Sequence, residues 1–491
     1  MSAMILCDAL VASMRANARA TISTPRETRS FAELLLAADA TAQALEQTLP
    51  GPRSRVLVTA PNSPEYVSLF LALLAGGHLP VLADPILARD EVDDLIRGCG
   101  IDAIVTSAPD TDLRCAVATE ALALDHRHWL HAADHRGPRP TLAEDTELGR
   151  LTSGSTRTPA CIEFSGRAVI SAARTWAGAA GLSPSDTSLC YAGLYNGLAF
   201  NTTLIPSLLV GANIVLSPAP PTAGSLIRHV RAFDPTVLVA FPAAYELITA
   251  FPSERVGDDL RGLRLLLSSA APLPAATAAH IESIARPICN YYGIAEVGPV
   301  TIRAEDDDEP DSLGAPLPGV AVESREIADG TKVIHVRTAS MGTKYLNYPG
   351  ELERQITPDG YFTTSDTGEL TDGLLRLRGR TNQRLNIAGR KFGADSIRSA
   401  VLEFPGVLDC HVTQVTTPSR RDCVGAVIES RAALDITALR EHLRGRIAEF
   451  KVPEVVLTTD CLPRSTSGKP RTADITAMLA ETFTAPTTED A

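Results

Sequence analysis

The sequence predicts an α/β fold in which a large N-terminal domain precedes a small C-terminal domain. Three observations support this prediction. The 491 residues suffice for two or three domains at ~150 residues each. The composition, with 45% hydrophobic and 21% charged residues, is that of an ordinary globular protein. Short apolar runs alternate with helical patterns, which is typical of parallel sheets flanked by helices.

The alternation of strands and helices is clearest near the N-terminus. After an apolar first helix within Met1–Val11, Val56–Thr59 predicts a strand, Ser63–Ala75 predicts a helix, and Leu79–Leu82 predicts the next strand. A second unit combines three further segments: a strand at Asn213–Leu216, a helix at 222–232 and a strand at Val237–Ala240. These units favour mixed or largely parallel sheets, with a mixed α+β array as the alternative.

A change of pattern divides the chain. After Gly330 the segments Lys332–Arg337, 350–355 and 374–377 predict strands, and a polar break follows at 378–386. We therefore predict a core domain over residues 1–380 and a mobile α+β lid domain over residues 381–491.

Charge and cysteine content exclude several classes of protein. The chain carries 58 acidic and 45 basic residues, a net charge of −13, which argues against nucleic-acid binding. No apolar run reaches the ~18 residues that a membrane span requires. The nine cysteines form no CxxC pair, so neither a zinc site nor a disulfide framework is indicated. We expect a cytoplasmic protein without nucleic-acid or membrane partners.

The most informative local segment is 151–159, with the sequence LTSGSTRTP. A loop of small hydroxyl residues and glycine can present backbone N–H groups and hydroxyls to phosphate oxygens. The spacing is not that of a Walker loop. By itself the segment fits a plain surface loop equally well.

Four further segments make the interpretation specific. The chain resembles the adenylate-forming superfamily, which contains acyl-CoA synthetases, adenylation domains of nonribosomal peptide synthetases and luciferases. The resemblance rests on the loop and on motifs that follow it in the family's order, namely YYGIAE at 291–296, GYFTTSDTG at 360–368, GRTNQRLNIAG at 379–389 and LPRSTSGKPR at 462–471.

The resemblance implies attack of an acid oxyanion on the α-phosphate of ATP, which forms an acyl-adenylate and releases pyrophosphate. Glu296 would hold Mg²⁺, Tyr292 would stack on adenine, and Asp366 would accept hydrogen bonds from the ribose. Arg380 and the mobile Lys469 would act as catalytic cations. The remaining nucleotide contacts implied by the resemblance are Thr152, Ser153, Gly154, Ser155, Thr156 and Gly293.

Three positions depart from the family's pattern. Arg157 replaces a glycine, Ala160 replaces the lysine of the phosphate loop, and Ala295 replaces a threonine. One cation that would neutralise pyrophosphate is therefore missing, and Arg157 is a partial substitute at best. The loss leaves a catalytically impaired nucleotide-binding homologue as one alternative.

The resemblance also implies the later steps. Asn382 occupies the hinge about which the small domain would rotate. The acceptor would be CoA or the phosphopantetheine arm of a carrier protein. Asn196 lies where aryl-acid-activating relatives place an asparagine, and Phe241 would line the same pocket. We therefore expect a small carboxylic acid as substrate, with Asn196 favouring an aromatic one, and ATP-dependent activation of nitrite for diazotisation of an aryl amine is a further alternative.

Overall fold

The structure is a computed structural model of the chain. The residues that it describes are 4–109, 121–134, 139–152, 158–217, 222–249, 253–269, 273–303, 312–327, 330–381, 384–387, 390–417, 422–444, 446–447, 449–464 and 470–482.

In the residues that the structure describes, twenty strands precede the segment at which the sequence predicts the domain boundary. In chain order they are β1 (Thr21–Ser23), β2 (Thr28–Ser30), β3 (Arg55–Thr59), β4 (Leu79–Leu82), β5 (Ala103–Thr106), β6 (Leu122–Ala123), β7 (Trp129–Ala132), β8 (Thr146–Leu151), β9 (Cys161–Ser165), β10 (Thr187–Cys190), β11 (Asn213–Leu216), β12 (Val237–Ala240), β13 (Leu265–Ser268), β14 (Cys289–Ile294), β15 (Gly298–Ile302), β16 (Ala315–Pro316), β17 (Ala321–Glu326), β18 (Lys332–Arg337), β19 (Phe362–Thr371) and β20 (Leu374–Arg380).

Eleven α-helices lie among these strands in the described residues. They are α1 (Ile5–Ala16), α2 (Phe31–Thr48), α3 (Pro64–Ala75), α4 (Arg89–Cys99), α5 (Gly166–Ala179), α6 (Gly197–Ala199), α7 (Ile205–Val210), α8 (Ala223–Phe233), α9 (Pro242–Thr249), α10 (Ser253–Arg261) and α11 (Ala275–Ile284). A π-helical turn over Phe200–Leu204 joins α6 to α7. No described helix combines the length and apolar character needed to cross a membrane.

The strands form three sheets. The nine-stranded sheet has the order β16-β15-β14-β13-β12-β10-β11-β1-β2. The six neighbouring strands β14-β13-β12-β10-β11-β1 pair in parallel. The seven-stranded sheet has the order β6-β7-β5-β3-β4-β8-β9 and is mixed, and the four-stranded sheet β17-β18-β19-β20 is antiparallel. The α/β prediction is confirmed.

Helix α3 shows how the two large sheets share a core. The Ser63 hydroxyl accepts a hydrogen bond from the N–H of Tyr66 and caps the helix, and Pro64 occupies the first turn. All of its residues up to Leu74 are buried. They pack in one cluster with Val58 of β3 and Leu216 of β11, so the helix is buried between the sheets.

One predicted strand is wrong. Residues 350–355 form a turn followed by a single 3₁₀ turn over Glu353–Gln355. Gly350 has a φ of 76°, which reverses the chain. The N–H groups of Arg354 and Gln355 then bond locally, to the carbonyls of Gly350 and Leu352, so the segment joins no sheet.

The C-terminal part has its own elements and core. The elements are β21 (Arg384–Ile387), β22 (Arg390–Gly393), α12 (Ala394–Leu402), β23 (Asp409–Thr416), β24 (Asp422–Glu429), α13 (Ile436–Arg444), β25 (Val455–Thr459) and α14 (Thr472–Glu481). Strands β23, β24 and β25 form a three-stranded sheet, and β21 pairs with β22. Apolar side chains of β23 and β24 pack against α12 and α13.

A buried carboxylate clamps the amino ends of three neighbouring parallel strands. Asp186 precedes β10, and it accepts hydrogen bonds from Thr236 Oγ1 (2.6 Å) before β12 and from Arg264 Nε (2.7 Å) before β13. Partial burial raises the pKa of Asp186, but the bonds from these partners outweigh that effect and hold it well below its usual range. The clamp therefore fixes how these strands align.

We expect Asp186→Asn to lower the free energy of unfolding by about 2 kcal/mol at pH 7, because Arg264 would lose its charged partner. Since the native pKa of Asp186 is lowered, its contribution is present above the ordinary carboxylate pKa and is lost as pH falls below about 4. Denaturant unfolding followed by tryptophan fluorescence tests this, because both tryptophans, Trp129 and Trp176, lie in the large domain. A difference between wild type and variant that stays constant from pH 7 to pH 3 would contradict the assignment.

Candidate active site at the carboxyl ends of the parallel strands

The topology brings three of the predicted site residues to one edge of the nine-stranded sheet. Strands β10, β12 and β13 run parallel, so their carboxyl ends lie together. Asn196 and Phe241 follow two of these strands, and Tyr292 lies in the neighbouring β14. Clefts outside the carboxyl ends of such strands are the usual ligand sites of open α/β sheets.

Asp366 is the centre of the candidate site. It is 4% exposed in β19, where it pairs in register with Arg380 of β20. Its Oδ1 accepts a hydrogen bond from Arg380 Nε at 2.7 Å, and its Oδ2 accepts one from the Tyr292 hydroxyl at 2.6 Å. Each carboxylate oxygen retains a second lone pair, so the pair can still accept hydrogen bonds from two ribose hydroxyls.

The position of Tyr292 is fixed by its surroundings. The adjacent Tyr291 is buried and packs edge-on against Trp176, with ring centroids 5.3 Å apart. Burial and the neighbouring Asp366 carboxylate hold the pKa of Tyr292 well above its usual range, so its hydroxyl is a hydrogen-bond donor at neutral pH. At Gly293 the β14–β15 register shifts, which starts the turn that carries Glu296.

Arg380 supplies a permanent positive charge beside Asp366. Burial lowers its pKa, but the ion pair with Asp366 outweighs burial and raises the pKa above its ordinary value. Its side chain nevertheless remains 44% exposed. The guanidinium can therefore contact a ligand while its Nε holds the carboxylate.

Glu296 fits the role of a magnesium ligand. It lies in the turn between β14 and β15, and its Oε1 accepts a hydrogen bond from the Tyr345 hydroxyl at 2.6 Å. No described residue donates to Oε2. One oriented carboxylate with a free oxygen matches the way Mg²⁺ is usually bound, by one or two carboxylates together with substrate phosphates.

The base of the predicted phosphate loop is closed by hydrogen bonds. The Thr152 N–H donates to the Ala160 carbonyl (2.9 Å), and the Ala160 N–H donates to Thr152 Oγ1 (3.0 Å). Asn347 bridges the next residues, donating to the Pro159 carbonyl and accepting from the Cys161 N–H. No described residue accepts a hydrogen bond from the Thr152 hydroxyl, so its proton is available to a ligand such as a phosphate. The loop residues Ser153, Gly154, Ser155, Thr156 and Arg157 lie outside the described residues.

The two predicted acid-binding residues differ in what holds them. The Asn196 Oδ1 accepts a hydrogen bond from the Leu198 N–H at 2.9 Å and caps α6, while no described residue accepts from its amide nitrogen. Phe241 directly precedes α9, is partly buried, and packs against the hydrophobic cluster that contains α3. The capping bond orients Asn196, so a structural role accompanies the predicted contact with substrate.

Lys469 and the predicted hinge residue Asn382 lie outside the described residues. Lys469 belongs to the motif LPRSTSGKPR at 462–471, here called the lysine loop, and the two ends of this loop, which form its base, are described. Arg464 and Pro470 form an antiparallel bridge that closes the loop. Arg464 forms ion pairs with Asp409 and Glu429 of the C-terminal sheet.

This loop base is also electrostatically coupled to the large domain. Burial raises the pKa of Glu246 in α9, and the charge of Arg464 opposes that effect. The end of the lysine motif therefore lies within electrostatic range of the helix that begins immediately after Phe241.

Sequence reasoning missed three residues near this site. Tyr345 orients Glu296, and Arg150 is buried beside Asn201 and donates to its Oδ1 at 3.1 Å. An arginine between Gly149 and Leu151 in the strand segment TELGRL of β8 was the available signal for Arg150. No pattern singled out Tyr345 or Asn201.

Comparison with known families agrees with the geometry. Residues 10–346 match the family described as AMP-binding enzyme, and residues 396–469 match the AMP-binding enzyme C-terminal domain. A feruloyl-CoA synthase of Amycolatopsis sp. is 26% identical over 459 residues, 90% of this chain and 92% of that protein. The p-hydroxybenzoic acid–AMP ligase FadD22 of Mycobacterium tuberculosis is 28% identical over 84% of this chain and 60% of its own length.

Solved structures show the same fold. ATP-bound MatB from Rhodopseudomonas palustris superposes with a TM-score of 0.81 at 20% identity, covering 96% of this chain and 99% of that one. The anthranilate CoA ligase AuaEII in complex with anthranoyl-AMP gives a TM-score of 0.80 at 20% identity, covering 97% and 98%. We conclude that this chain belongs to the AMP-binding enzyme family and is an ATP-dependent ligase of the adenylate-forming superfamily.

Proposed function

We propose that the chain activates a small aromatic carboxylic acid as its acyl-adenylate, with release of pyrophosphate, and then transfers the acyl group to the thiol of CoA. The observation that carries this proposal is the Asp366 carboxylate, fixed by Tyr292 and Arg380 within a chain that matches the family over both of its parts. A carrier-protein phosphopantetheine is the other acceptor that offers the same thiol chemistry.

The aromatic substrate class is supported from two directions. Relatives named for feruloyl, p-hydroxybenzoic and 3-hydroxybenzoate substrates cover 84–90% of this chain. In the structure, the Asn196 amide nitrogen is free of described acceptors and lies in the segment that follows β10. An amide there would donate to a hydroxyl or amino substituent on an aromatic ring.

In the first step, a carboxylate oxygen attacks the α-phosphorus of ATP. The new carboxylate–phosphorus bond forms as the bond from that phosphorus to the bridging oxygen breaks, and pyrophosphate leaves with the electron pair. Mg²⁺ held by Glu296 would neutralise phosphate charge. Asp366 would hold the ribose, and the predicted phosphate loop that begins at Thr152 would bind the terminal phosphates. Arg380 and Lys469 would stabilise the charge that develops at the α-phosphate.

In the second step, the acceptor thiolate attacks the acyl carbonyl and AMP leaves. Rotation about Asn382 would remove Lys469 and admit the acceptor. The ion pairs of Arg464 with Asp409 and Glu429 keep the lysine-loop base attached to the small domain. The loop would therefore move with that domain as a unit.

Pyrophosphate release with ATP and Mg²⁺ tests the proposal directly. We expect turnover with hydroxy- or aminobenzoic or cinnamic acids, at least ~10-fold faster in kcat/KM than with fatty or amino acids, because pocket contacts of this kind are worth ~1–3 kcal/mol. A parallel set containing nitrite and an aryl amine serves as the control. Release that depends only on nitrite would reject the proposal in favour of diazotisation, and silence throughout would indicate an impaired homologue.

We expect Lys469→Ala to lower the rate of adenylation by ~10²-fold or more, since one oriented transition-state charge is lost. ATP binding, measured by calorimetry, should remain nearly unchanged. Lys451→Ala, at a 3₁₀ turn of the same domain, is the matched control. An unchanged rate in Lys469→Ala would remove this residue from the mechanism.

We expect Asp366→Ala to raise the KM for ATP by ~10²-fold, because it removes the ribose acceptor and leaves Tyr292 and Arg380 without their partner. Tyr292→Phe removes one donor but keeps the acceptor, and we expect an increase of ~10-fold or less. Thermal unfolding of both variants checks that they fold. Equal effects of the two substitutions would show that the hydroxyl–carboxylate bond, and not the ribose contact, determines the KM.

A further inference from the structure

Arg150 is a buried cation that donates few hydrogen bonds to the part of the chain that the structure describes. It lies in β8 and is 3% exposed. Its Nη1 donates to Asn201 Oδ1, and its Nε donates to no described residue. No described carboxylate forms an ion pair with it, although the guanidinium offers five N–H donors.

Aromatic rings partly compensate for this burial. The Cζ atom of Arg150 lies 5.3 Å from the ring centroid of Phe164 and 5.0 Å from that of Phe200. Burial lowers the pKa of Arg150 to about 10, while Tyr291 and Glu296 act in the opposite direction. The side chain therefore remains charged at neutral pH. Burying an unpaired charge costs more free energy than a cation–π contact returns.

The guanidinium faces a small cavity next to the candidate site. The cavity is lined by Arg150, Phe164, Phe200, Asn201, Gly298 and Ser340. It has room for about one water molecule, which suits a terminal functional group and not a whole aromatic acid.

A glycine permits a close approach to the Arg150 guanidinium. A Cβ atom at Gly197 would lie 3.2 Å from Arg150 Nη2, so the guanidinium packs against the residue that follows Asn196. Glu296 and Tyr291, which belong to the YYGIAE motif, act electrostatically on Arg150. Arg150 therefore packs beside the segment predicted to bind the acid and lies within electrostatic range of the motif predicted to bind the nucleotide.

We propose that Arg150 is a specificity-determining residue that binds a second oxyanion, most simply a carboxylate carried by the acid substrate at the end remote from the reacting carboxyl group. This inference rests on the proposed function and deepens it. A planar guanidinium with free N–H groups binds a carboxylate through two parallel hydrogen bonds. The low dielectric around the buried guanidinium strengthens that pair, and the Phe164 and Phe200 rings lie against the guanidinium.

The test compares dicarboxylic acids with their monoamides and with benzoate as substrates for pyrophosphate release. We expect wild type to favour a dicarboxylate over its monoamide by ~10²-fold in kcat/KM. Arg150→Met should abolish this preference, with the KM for ATP and the rate with benzoate within ~3-fold of wild type. Arg150→Lys should restore part of the preference. Arg174→Met, on the exposed side of α5, is the matched control.

Stability separates a binding role from a structural one. Because removal of an unpaired buried charge relieves desolvation, Arg150→Met should unfold at a Tm equal to or a few degrees above that of wild type. A lower Tm, together with an equal loss of rate for every acid, would overturn the proposal and make Arg150 a structural support of Glu296. A raised KM for ATP alone would likewise overturn it.

Binding in the absence of ATP separates this inference from the proposed function. A dicarboxylate should raise the Tm of wild type but not of Arg150→Met, whether or not any acid is turned over. If formate or nitrite gives the same Arg150-dependent shift and stimulates turnover of benzoate, the oxyanion is a free ion, and its attachment to the substrate is disproved. If neither dicarboxylates nor free oxyanions give a shift, the oxyanion site itself is disproved.

Discussion

The candidate site depends on one buried carboxylate. Asp366 joins Tyr292 of the nine-stranded sheet to Arg380 of the antiparallel sheet, through two hydrogen bonds shorter than 2.8 Å. Both donors are charge-assisted partners of an anion in a low-dielectric environment, where such bonds are strongest. Arg380 is also the last residue of β20, the strand that leads into the small domain. Under the proposed function, the same interaction would therefore set the position of the nucleotide, and it lies at the end of the strand that precedes the C-terminal elements.

The two ends of the parallel strands have separate tasks. At the amino ends, Asp186 ties together the starts of β10, β12 and β13 through Thr236 and Arg264. At the carboxyl ends, the strands are followed by the segments that contain Asn196 and Phe241. Rigidity at one end of the sheet allows side chains at the other end to be placed with the accuracy that reaction geometry requires.

Much of this arrangement could be predicted from sequence, and the limits have physical causes. Periodicity located β3, α3 and β4 because their residues are buried in regular patterns, and motif resemblance located Asp366 and Glu296. Arg150 could not be identified from the sequence, because the direction in which its side chain points depends on the β8–β9 register, and this register shifts between Thr146 and Leu148. The donors that hold Glu296 and Asp366 come from residues 49 and 74 positions away, and such contacts leave no local signal.

The Asp186 clamp also has a consequence for how this enzyme could diversify. Substitutions in the segments after β10 and β12 would not affect Asp186, Thr236 and Arg264, because these three residues lie at the opposite end of the strands. Effects of residues that share no contacts tend to add independently. Substrate specificity can therefore change through a series of substitutions, under mutation and selection, while the stability of the folded state is maintained at each step.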